Sequence, residues 1–180
     1  MKKIAFLLCT FLCFVFLSCN KTAIKQIQTS PEVNQRTIGA TTQIFLVRHA
    51  EKSANDPRDP DLNEAGKERA QKLKYHLLEA GITAIYTTDY KRTRQTVQPL
   101  AEALEITPII YSTDLIDITQ LLKNHSSGNV LVAGHSNTTP KLTNKLLGEE
   151  KYQKLDESVY NKLFILSPSS ETFNSTIFQY

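Results

Sequence analysis

Three short segments of this 180-residue chain carry residue types suited to phosphoryl chemistry. Arg48-His49 ends one apolar run, Gly-His-Ser-Asn (134–137) ends another, and Thr-Asp-Tyr-Lys-Arg-Thr-Arg-Gln-Thr (88–96) lies between them. A neutral imidazole is a good nucleophile toward phosphorus. An arginine side chain binds two phosphate oxygens with its planar fork and keeps its charge. The set predicts a site for an anionic substrate and a histidine that becomes phosphorylated.

Arg48 and Arg92 are the cations that we expect to bind phosphate. A protonated His135 would add a third cationic donor. Asn137 stands where a helix is predicted to begin, and backbone amides at a helix start can hold an oxyanion. Each residue alone says little, but their joint occurrence, each after an apolar strand, favours a functional site.

The remaining histidines are interpreted as structural. His76 lies in the middle of a predicted helix, and His125 lies at a helix end, where the helix dipole mildly favours a cation. A metal site on His49 and His135 is disfavoured, because no third ligand is evident and the two arginines would repel a cation. We expect neither a metal nor another cofactor.

Strands and helices alternate along the part of the chain that must position these residues. Strands are predicted at 43–47, 82–87, 107–111 and 129–133, and helices at 63–81, 92–104 (with a kink at Pro99), 118–125 and 138–147. Two further strands are predicted at 162–166 and 175–179. The pattern predicts an α/β three-layer sandwich: a mostly parallel sheet, helices on both faces and an antiparallel edge. The three segments would then meet at the carboxyl ends of the strands, where such sheets bind ligands.

These motifs resemble those of the histidine phosphatase superfamily, the phosphoglycerate-mutase-like fold, over nearly all of 43–147. Arg48-His49-Ala50 stands where the family usually has Arg-His-Gly, as in a short-chain branch that includes the phosphohistidine phosphatases. The family's Ser-x-x-x-Arg-Thr-x-Gln-Thr appears with Thr88 in place of serine, and Gly-His-Ser-Asn is unchanged. The resemblance implies His49 as the phosphorylated nucleophile, with Arg48, Arg92 and His135 completing the phosphate pocket.

The resemblance also implies a carboxylic acid after the third strand that protonates the leaving oxygen. Asp114 fits this role best, Asp117 is second, and Glu51 beside the nucleophile is third. A general acid works best with a pKa near the working pH, so burial or a dianionic substrate would have to raise the pKa of an aspartate. Asp114 and Asp117 can equally be interpreted as N-caps of the helix predicted at 118.

The N-terminus has the features of an export signal. Lys2 and Lys3 precede an apolar stretch, 4–17, that is too short to span a membrane comfortably. Phe-Leu-Ser-Cys (16–19) resembles a bacterial lipobox, which implies a lipidated Cys19. We therefore predict a signal peptide at 1–18, a lipidated polar tether at 19–41 and a single domain at 42–180. A plain secretory signal and an uncleaved anchor are the alternatives.

This organisation predicts an exported lipoprotein, anchored to a membrane and facing the periplasm or the cell surface. All three cysteines lie within the first 19 residues, outside the predicted domain, so no disulfide framework is expected. Removal of the two lysines lowers the formal net charge from +3 to +1, so the basic pI is no evidence for nucleic-acid binding.

Three functions are compatible with the sequence. The first is a phosphomonoesterase of the histidine acid phosphatase type that works through a phosphohistidine. The second is a protein phosphohistidine phosphatase, which could dispense with the acid because imidazole is a good leaving group. The third is a non-catalytic, lipid-tethered module that binds a phosphorylated ligand. A mutase is disfavoured, because no long insertion is evident that could form a closed lid.

Overall fold

A computed structural model describes residues 42–112, 124–125, 128–170 and 172–180. The predicted signal peptide, Cys19, the tether, Asp114 and Asp117 lie outside the described residues, as does most of the predicted helix at 118–125. Among the residues that the structure describes, no helix is long and apolar enough to cross a membrane.

The described part of the chain contains six strands and three helices. They are β1 (Ile44–Arg48), α1 (Glu64–Leu77), β2 (Ile82–Thr87), α2 (Lys91–Ala103), β3 (Ile109–Ile110), β4 (Asn129–Gly134), α3 (Thr138–Leu147), β5 (Lys162–Pro168) and β6 (Phe173–Gln179).

The six strands form one sheet in the order β3-β2-β4-β1-β5-β6. The pairs β2–β3, β2–β4 and β1–β4 are parallel, whereas β5 pairs antiparallel with both β1 and β6. The predicted class, a mostly parallel α/β sheet with an antiparallel edge, is confirmed.

Helices cover both faces of the sheet, as predicted. The side chains of β1 alternate between two cores, Ile44 and Leu46 in one and Phe45 and Val47 in the other. One core receives α3, and the other receives α1 and α2. All five residues of β1 are buried, as expected for a strand covered on both faces. Packing on both faces holds in place the strand that directly precedes the predicted nucleophile, His49.

Several predicted boundaries are wrong by a few residues. Helix α1 ends at Leu77 rather than at Gly81, and an extra turn follows before Gly81 adopts a φ of 63° at the start of β2. The strand predicted at 107–111 is only Ile109–Ile110, because Pro108 has no N–H to donate to the ladder. Helix α2 continues through Pro99. The last two strands are each longer than predicted.

Candidate active site

The predicted site residues meet at the carboxyl edge of the parallel strands. Arg48 ends β1 and pairs with Gly134 at the end of β4, while Thr87 ends β2 and pairs with Ala133. His49 and His135 directly follow β1 and β4, so their rings lie 5.5 Å apart between centroids. The residues around them enclose a pocket of about 760 Å³, whose lining includes Arg48, His49, Thr88, Arg92, His135 and Asn137.

His49 is held as a neutral imidazole with one ring nitrogen free. It is 4% exposed, and its Nδ1 lies 2.8 Å from the carbonyl oxygen of Ala50, so Nδ1 carries the proton and donates it there. The lone pair is then on Nε2. Burial is the main cause that lowers the pKa of His49 to about 3; the charges of Arg48 and Arg92 act in the same direction, and the hydrogen bond to Ala50 opposes them. The side chain is therefore a ready nucleophile at neutral pH.

Arg48 is almost completely buried, and the loop before β5 holds it from one side. Its Nη1 donates to the carbonyl oxygens of Asp156, Glu157 and Val159 at 2.9, 3.2 and 3.0 Å. Its Nη2 donates to the Glu157 carboxylate at 2.8 Å, and the guanidinium carbon lies 4.1 Å from the centre of the Tyr160 ring. Its Nε is buried and has no hydrogen-bond partner. The guanidinium is thus fixed in place and keeps one donor unused.

Arg92 lies in the first turn of α2, where the preceding loop positions it. Its guanidinium carbon lies 4.3 Å from the centre of the Tyr90 ring, and its Nη1 is 3.7 Å from a carboxylate oxygen of Asp59. The same carboxylate accepts a hydrogen bond from the backbone N–H of Lys91 at 2.9 Å, which caps the start of α2. The Nη1 of Arg92 is buried without a hydrogen-bond partner. This second arginine also keeps an unused donor.

His135 is fixed by a chain of hydroxyl groups. Its Nε2 lies 3.0 Å from the hydroxyl of Thr88, which donates to the hydroxyl of Thr93 at 2.9 Å. Burial lowers the pKa of His135 to about 4, and the charges of Arg92 and Arg48 contribute to the same effect. The prediction of a protonated His135 is therefore wrong for this structure: the ring is neutral near pH 7, and its single N–H is on Nε2 and donates to the hydroxyl of Thr88.

Asn137 lies at the N-cap of α3, as predicted, and lines the pocket. Its side chain makes no capping hydrogen bond. Glu51 lies elsewhere: both its carboxylate oxygens accept hydrogen bonds of 2.7 to 2.9 Å from Arg69. Burial raises the pKa of Glu51, but the hydrogen bonds and the charge of Arg69 outweigh burial and lower it. A carboxylate held ionised in this way is unsuited to donate a proton, so Glu51 is wrong as a candidate acid.

The histidines interpreted as structural lie outside the pocket lining. His76 makes edge contacts with the rings of Phe178 and Tyr180. The Nε2 of His125 lies 2.7 Å from the hydroxyl of Tyr86. Both contacts agree with the structural interpretation.

Several supporting residues were missed by sequence reasoning. Glu157 and Tyr160 belong to a loop without a recognisable motif, and Asp59 to a loop that reads only as polar. Gly66 is a further one: a Cβ there would overlap the backbone oxygen of Glu51, so only glycine lets α1 approach the loop after His49 so closely. The available signal was a glycine in the first turn of a predicted helix, which can indicate a close approach between the helix and another segment.

Comparisons with known proteins agree with this geometry. Residues 44–119 match the model of the histidine phosphatase superfamily, branch 1. Phosphoserine phosphatase 1 of Hydrogenobacter thermophilus is 37% identical over 82 residues, which are 42% of this chain and 38% of that protein. The chain spans 31% to 50% of the length of the curated relatives that it matches.

Solved structures show the same fold. The protein histidine phosphatase SixA complexed with tungstate superimposes with a TM-score of 0.61 at 17% identity, over 76% of this chain and 96% of that one. A phosphoserine phosphatase from Entamoeba histolytica in complex with 3-phosphoglyceric acid gives a TM-score of 0.58 at 16% identity, over 77% and 97%. Residues 44–119 are thus similar to the histidine phosphatase superfamily, and the solved structures, SixA among them, share the fold of the chain.

Proposed function

We propose that this protein is a phosphomonoester hydrolase that forms a phosphohistidine on His49. One observation carries the proposal. Among the residues that the structure describes, three buried side-chain polar atoms have no hydrogen-bond partner, and two of them are Arg48 Nε and Arg92 Nη1 in this pocket. An unpaired buried donor is costly, and more so when it is charged. Phosphoryl oxygens would satisfy both donors beside the free Nε2 of His49.

The reaction follows from these positions. Nε2 of His49 attacks phosphorus, the bond to the ester oxygen breaks, and the leaving oxygen takes up a proton. Arg48 and Arg92 hold the phosphoryl oxygens, and the start of α3 at Asn137 can hold a further one. His135 joins them when its N–H exchanges the hydroxyl of Thr88 for a phosphoryl oxygen. Water then attacks the phosphohistidine and releases phosphate.

Asp114 is the proposed donor of the proton to the leaving oxygen, with Asp117 as the alternative. Both aspartates lie outside the described residues, so the proposal rests on their place in the sequence after β3. A dianionic substrate nearby would raise the pKa of such a carboxyl toward the working pH.

The test is phosphate release from p-nitrophenyl phosphate by the full-length protein and its His49→Ala variant. His76→Ala is the matched control, because it removes an exposed histidine that is absent from the pocket lining. We expect turnover in the parent and the control and none in His49→Ala. Rapid quenching in alkali should also trap a phosphorylated protein that is labile to acid. Unchanged turnover in His49→Ala would overturn the proposal.

A protein phosphohistidine phosphatase is the second candidate. The charge of Arg48 is the main cause that lowers the pKa of the Glu157 carboxyl at the pocket wall. A carboxylate that stays ionised is a poor acid, and this favours a substrate such as phosphohistidine, whose imidazole leaves readily. Hydrolysis of a phosphohistidine peptide but not of alkyl phosphates would support this candidate. Steady turnover of any phosphate ester excludes a non-catalytic binding module, which would gain thermal stability from phosphate but release no product.

We further propose that the chain is an exported bacterial lipoprotein tethered through Cys19, with the domain facing the periplasm or the cell surface. The support is the segment 16–19 and its position after an apolar stretch. Mass spectrometry of the mature N-terminus should show a diacylated cysteine, and Cys19→Ser should release the protein from membranes. An unmodified N-terminus in the membrane fraction would contradict the tether.

A further inference from the structure

Glu157 brings a negative charge to the pocket that is proposed to bind phosphate. Its carboxylate accepts a hydrogen bond from Nη2 of Arg48 at 2.8 Å, and it belongs to the pocket lining. The Glu157 side chain is 67% exposed, whereas that of Arg48 is 2% exposed. A solvated anion is therefore paired with a buried cation, and three backbone carbonyls hold the same cation independently of this carboxylate.

The backbone around Glu157, rather than its carboxylate, fixes Arg48. Three carbonyl oxygens of residues 156, 157 and 159 hold Nη1, and the Tyr160 ring lies against the guanidinium plane. Nε remains unpaired on the edge that Nη2 shares. Arginine commonly binds phosphate through two adjacent N–H groups, and here Nη2, one of the two nitrogens on this edge, already donates to a carboxylate.

Charged and polar groups from three parts of the chain face Glu157. Arg48 comes from β1, the hydroxyl of Ser136 lies 3.4 Å away on the loop before α3, and Lys154 lies 3.4 Å away on Glu157's own loop. Arg48 is the first cause that lowers the pKa of Glu157, so the carboxylate is ionised near neutral pH. A phosphoryl dianion bound at Arg48 would oppose that charge.

We propose that Glu157 is a built-in competitor for the phosphate site, a carboxylate that must be neutralised or displaced from Nη2 of Arg48 before a phosphoryl dianion binds there. This inference rests on the proposed function, because it takes Arg48 as the phosphate ligand. It makes Glu157 a specificity-determining residue. Phosphate esters that carry a second negative charge on this side are disfavoured, and those with a neutral or cationic group there are favoured.

The probe is inorganic sulfate, because it remains dianionic from pH 5 to pH 8 and does not titrate with the protein. Its dissociation constant is measured by calorimetry for the full chain, Glu157→Gln and Glu149→Gln at constant ionic strength. Glu149 is the matched control, since it lies in the same loop, pairs at the surface with Lys151 and is absent from the pocket lining. We expect sulfate to bind Glu157→Gln about tenfold more tightly than the parent at pH 7, a gain equal to about 1.4 kcal/mol.

A pH series adds a second readout. In the parent, a bound dianion raises the pKa of Glu157, so sulfate affinity should rise as the pH falls from 7 to 5. His135 can contribute to the same rise, but Glu157→Gln retains that part, so its pH dependence should be shallower than that of the parent.

The possible failures are distinguishable. Equal or weaker binding by Glu157→Gln, or an equal gain in Glu149→Gln, would overturn the role of Glu157 while leaving the phosphate site intact. Absence of sulfate and phosphate binding in all three folded proteins would overturn the proposed function together with this inference.

Discussion

Replacement of Arg92 by lysine is the sharpest test of the proposed phosphate site, because it keeps the charge and removes the fork. The guanidinium lies over the Tyr90 ring at 4.3 Å and 3.7 Å from the Asp59 carboxylate, with Nη1 buried and unpaired. A lysine ammonium is a single point donor on a flexible stem. The ammonium can pair with Asp59 or approach the phosphoryl group. Unlike the planar guanidinium, it cannot stack on Tyr90 and make these two contacts at the same time.

The magnitude follows from the donor that is lost. A hydrogen bond to a charged group contributes about 1.5 to 3 kcal/mol. If Nη1 of Arg92 donates to the transferred phosphoryl group in the transition state, its loss lowers kcat/KM by about 10- to 150-fold. Loss of the contact with Tyr90 adds a smaller effect of about 0.5 to 1 kcal/mol through poorer positioning. Arg92→Ala removes the charge as well and should cost more than Arg92→Lys.

The assay is kcat/KM for p-nitrophenyl phosphate, measured together with thermal unfolding to confirm that each variant is folded. Arg94→Lys is the control, since Arg94 is half exposed in the same turn of α2 and pairs with Asp89 at 2.9 Å. We expect Arg94→Lys to stay within about twofold of the parent, as for an exposed pair of small net energy. A fall of less than threefold in Arg92→Lys, or an equal fall in the control, would refute this reasoning.

Three further predictions concern how the site is supported. The pKa values of His49 and His135, about 3 and about 4, lie below 6.5, the ordinary pKa of a histidine, so the unfolded chain binds protons first as the pH falls. The free energy of unfolding should be highest above pH 6.5 and fall by up to about 1.4 kcal/mol per pH unit per histidine between pH 6.5 and pH 4. In urea titrations His135→Asn should make this pH dependence shallower. Equal pH dependence in the parent and the variant would contradict the prediction. Asn63→Ala removes the hydrogen bond to Gly66 N that caps α1 and should cost about 1 kcal/mol in the free energy of unfolding by the same method; no loss would contradict the cap. Gly66→Ala should lower the free energy of unfolding by about 1 to 3 kcal/mol and also lower kcat/KM, because its methyl group would displace the backbone of Glu51 next to the nucleophile loop. Activity equal to that of the parent would show that this loop is not coupled to α1.

The fold was largely predictable because the apolar runs in the sequence coincide with the buried strands, and the motif residues directly follow those strands. The run 44–47, which precedes Arg48 and His49, is apolar at every position, and the structure buries it on both faces. The end of α1 was mispredicted, because a single glycine does not tell whether it ends the helix or begins the following strand. The strand at Ile109–Ile110 was predicted too long, although Pro108, which has no N–H to donate to the ladder, marks the limit of its pairing with β2 in the sequence.

The sequence predicted which residues form the candidate site, because their types indicate their chemistry. It did not predict their charge states and ion pairs, because these depend on the surrounding structure. Arg48, His49, Arg92 and His135 were predicted to meet, and the structure brings them to one pocket. The charge state of His135 was mispredicted, because burial beside two arginines outweighs the tendency of an imidazole to gain a proton. The role of Glu51 was mispredicted for a similar reason: its partner, Arg69, comes from α1 and is invisible from the loop that carries Glu51.

The arrangement of Arg48 explains how a buried cation can be retained without a ligand and still be ready for one. A buried charge is tolerated when it is paired and hydrogen-bonded. Here three backbone carbonyls satisfy Nη1, whereas an exposed carboxylate satisfies Nη2 and nothing satisfies Nε. The rigid half of the pairing orients the guanidinium before any anion arrives, so little reorganisation is needed on binding. Nη2 and Nε are left for the phosphoryl group, because only an exposed carboxylate holds Nη2 and nothing holds Nε. The carboxylate of Glu157 and a phosphate should therefore compete for this edge of the guanidinium.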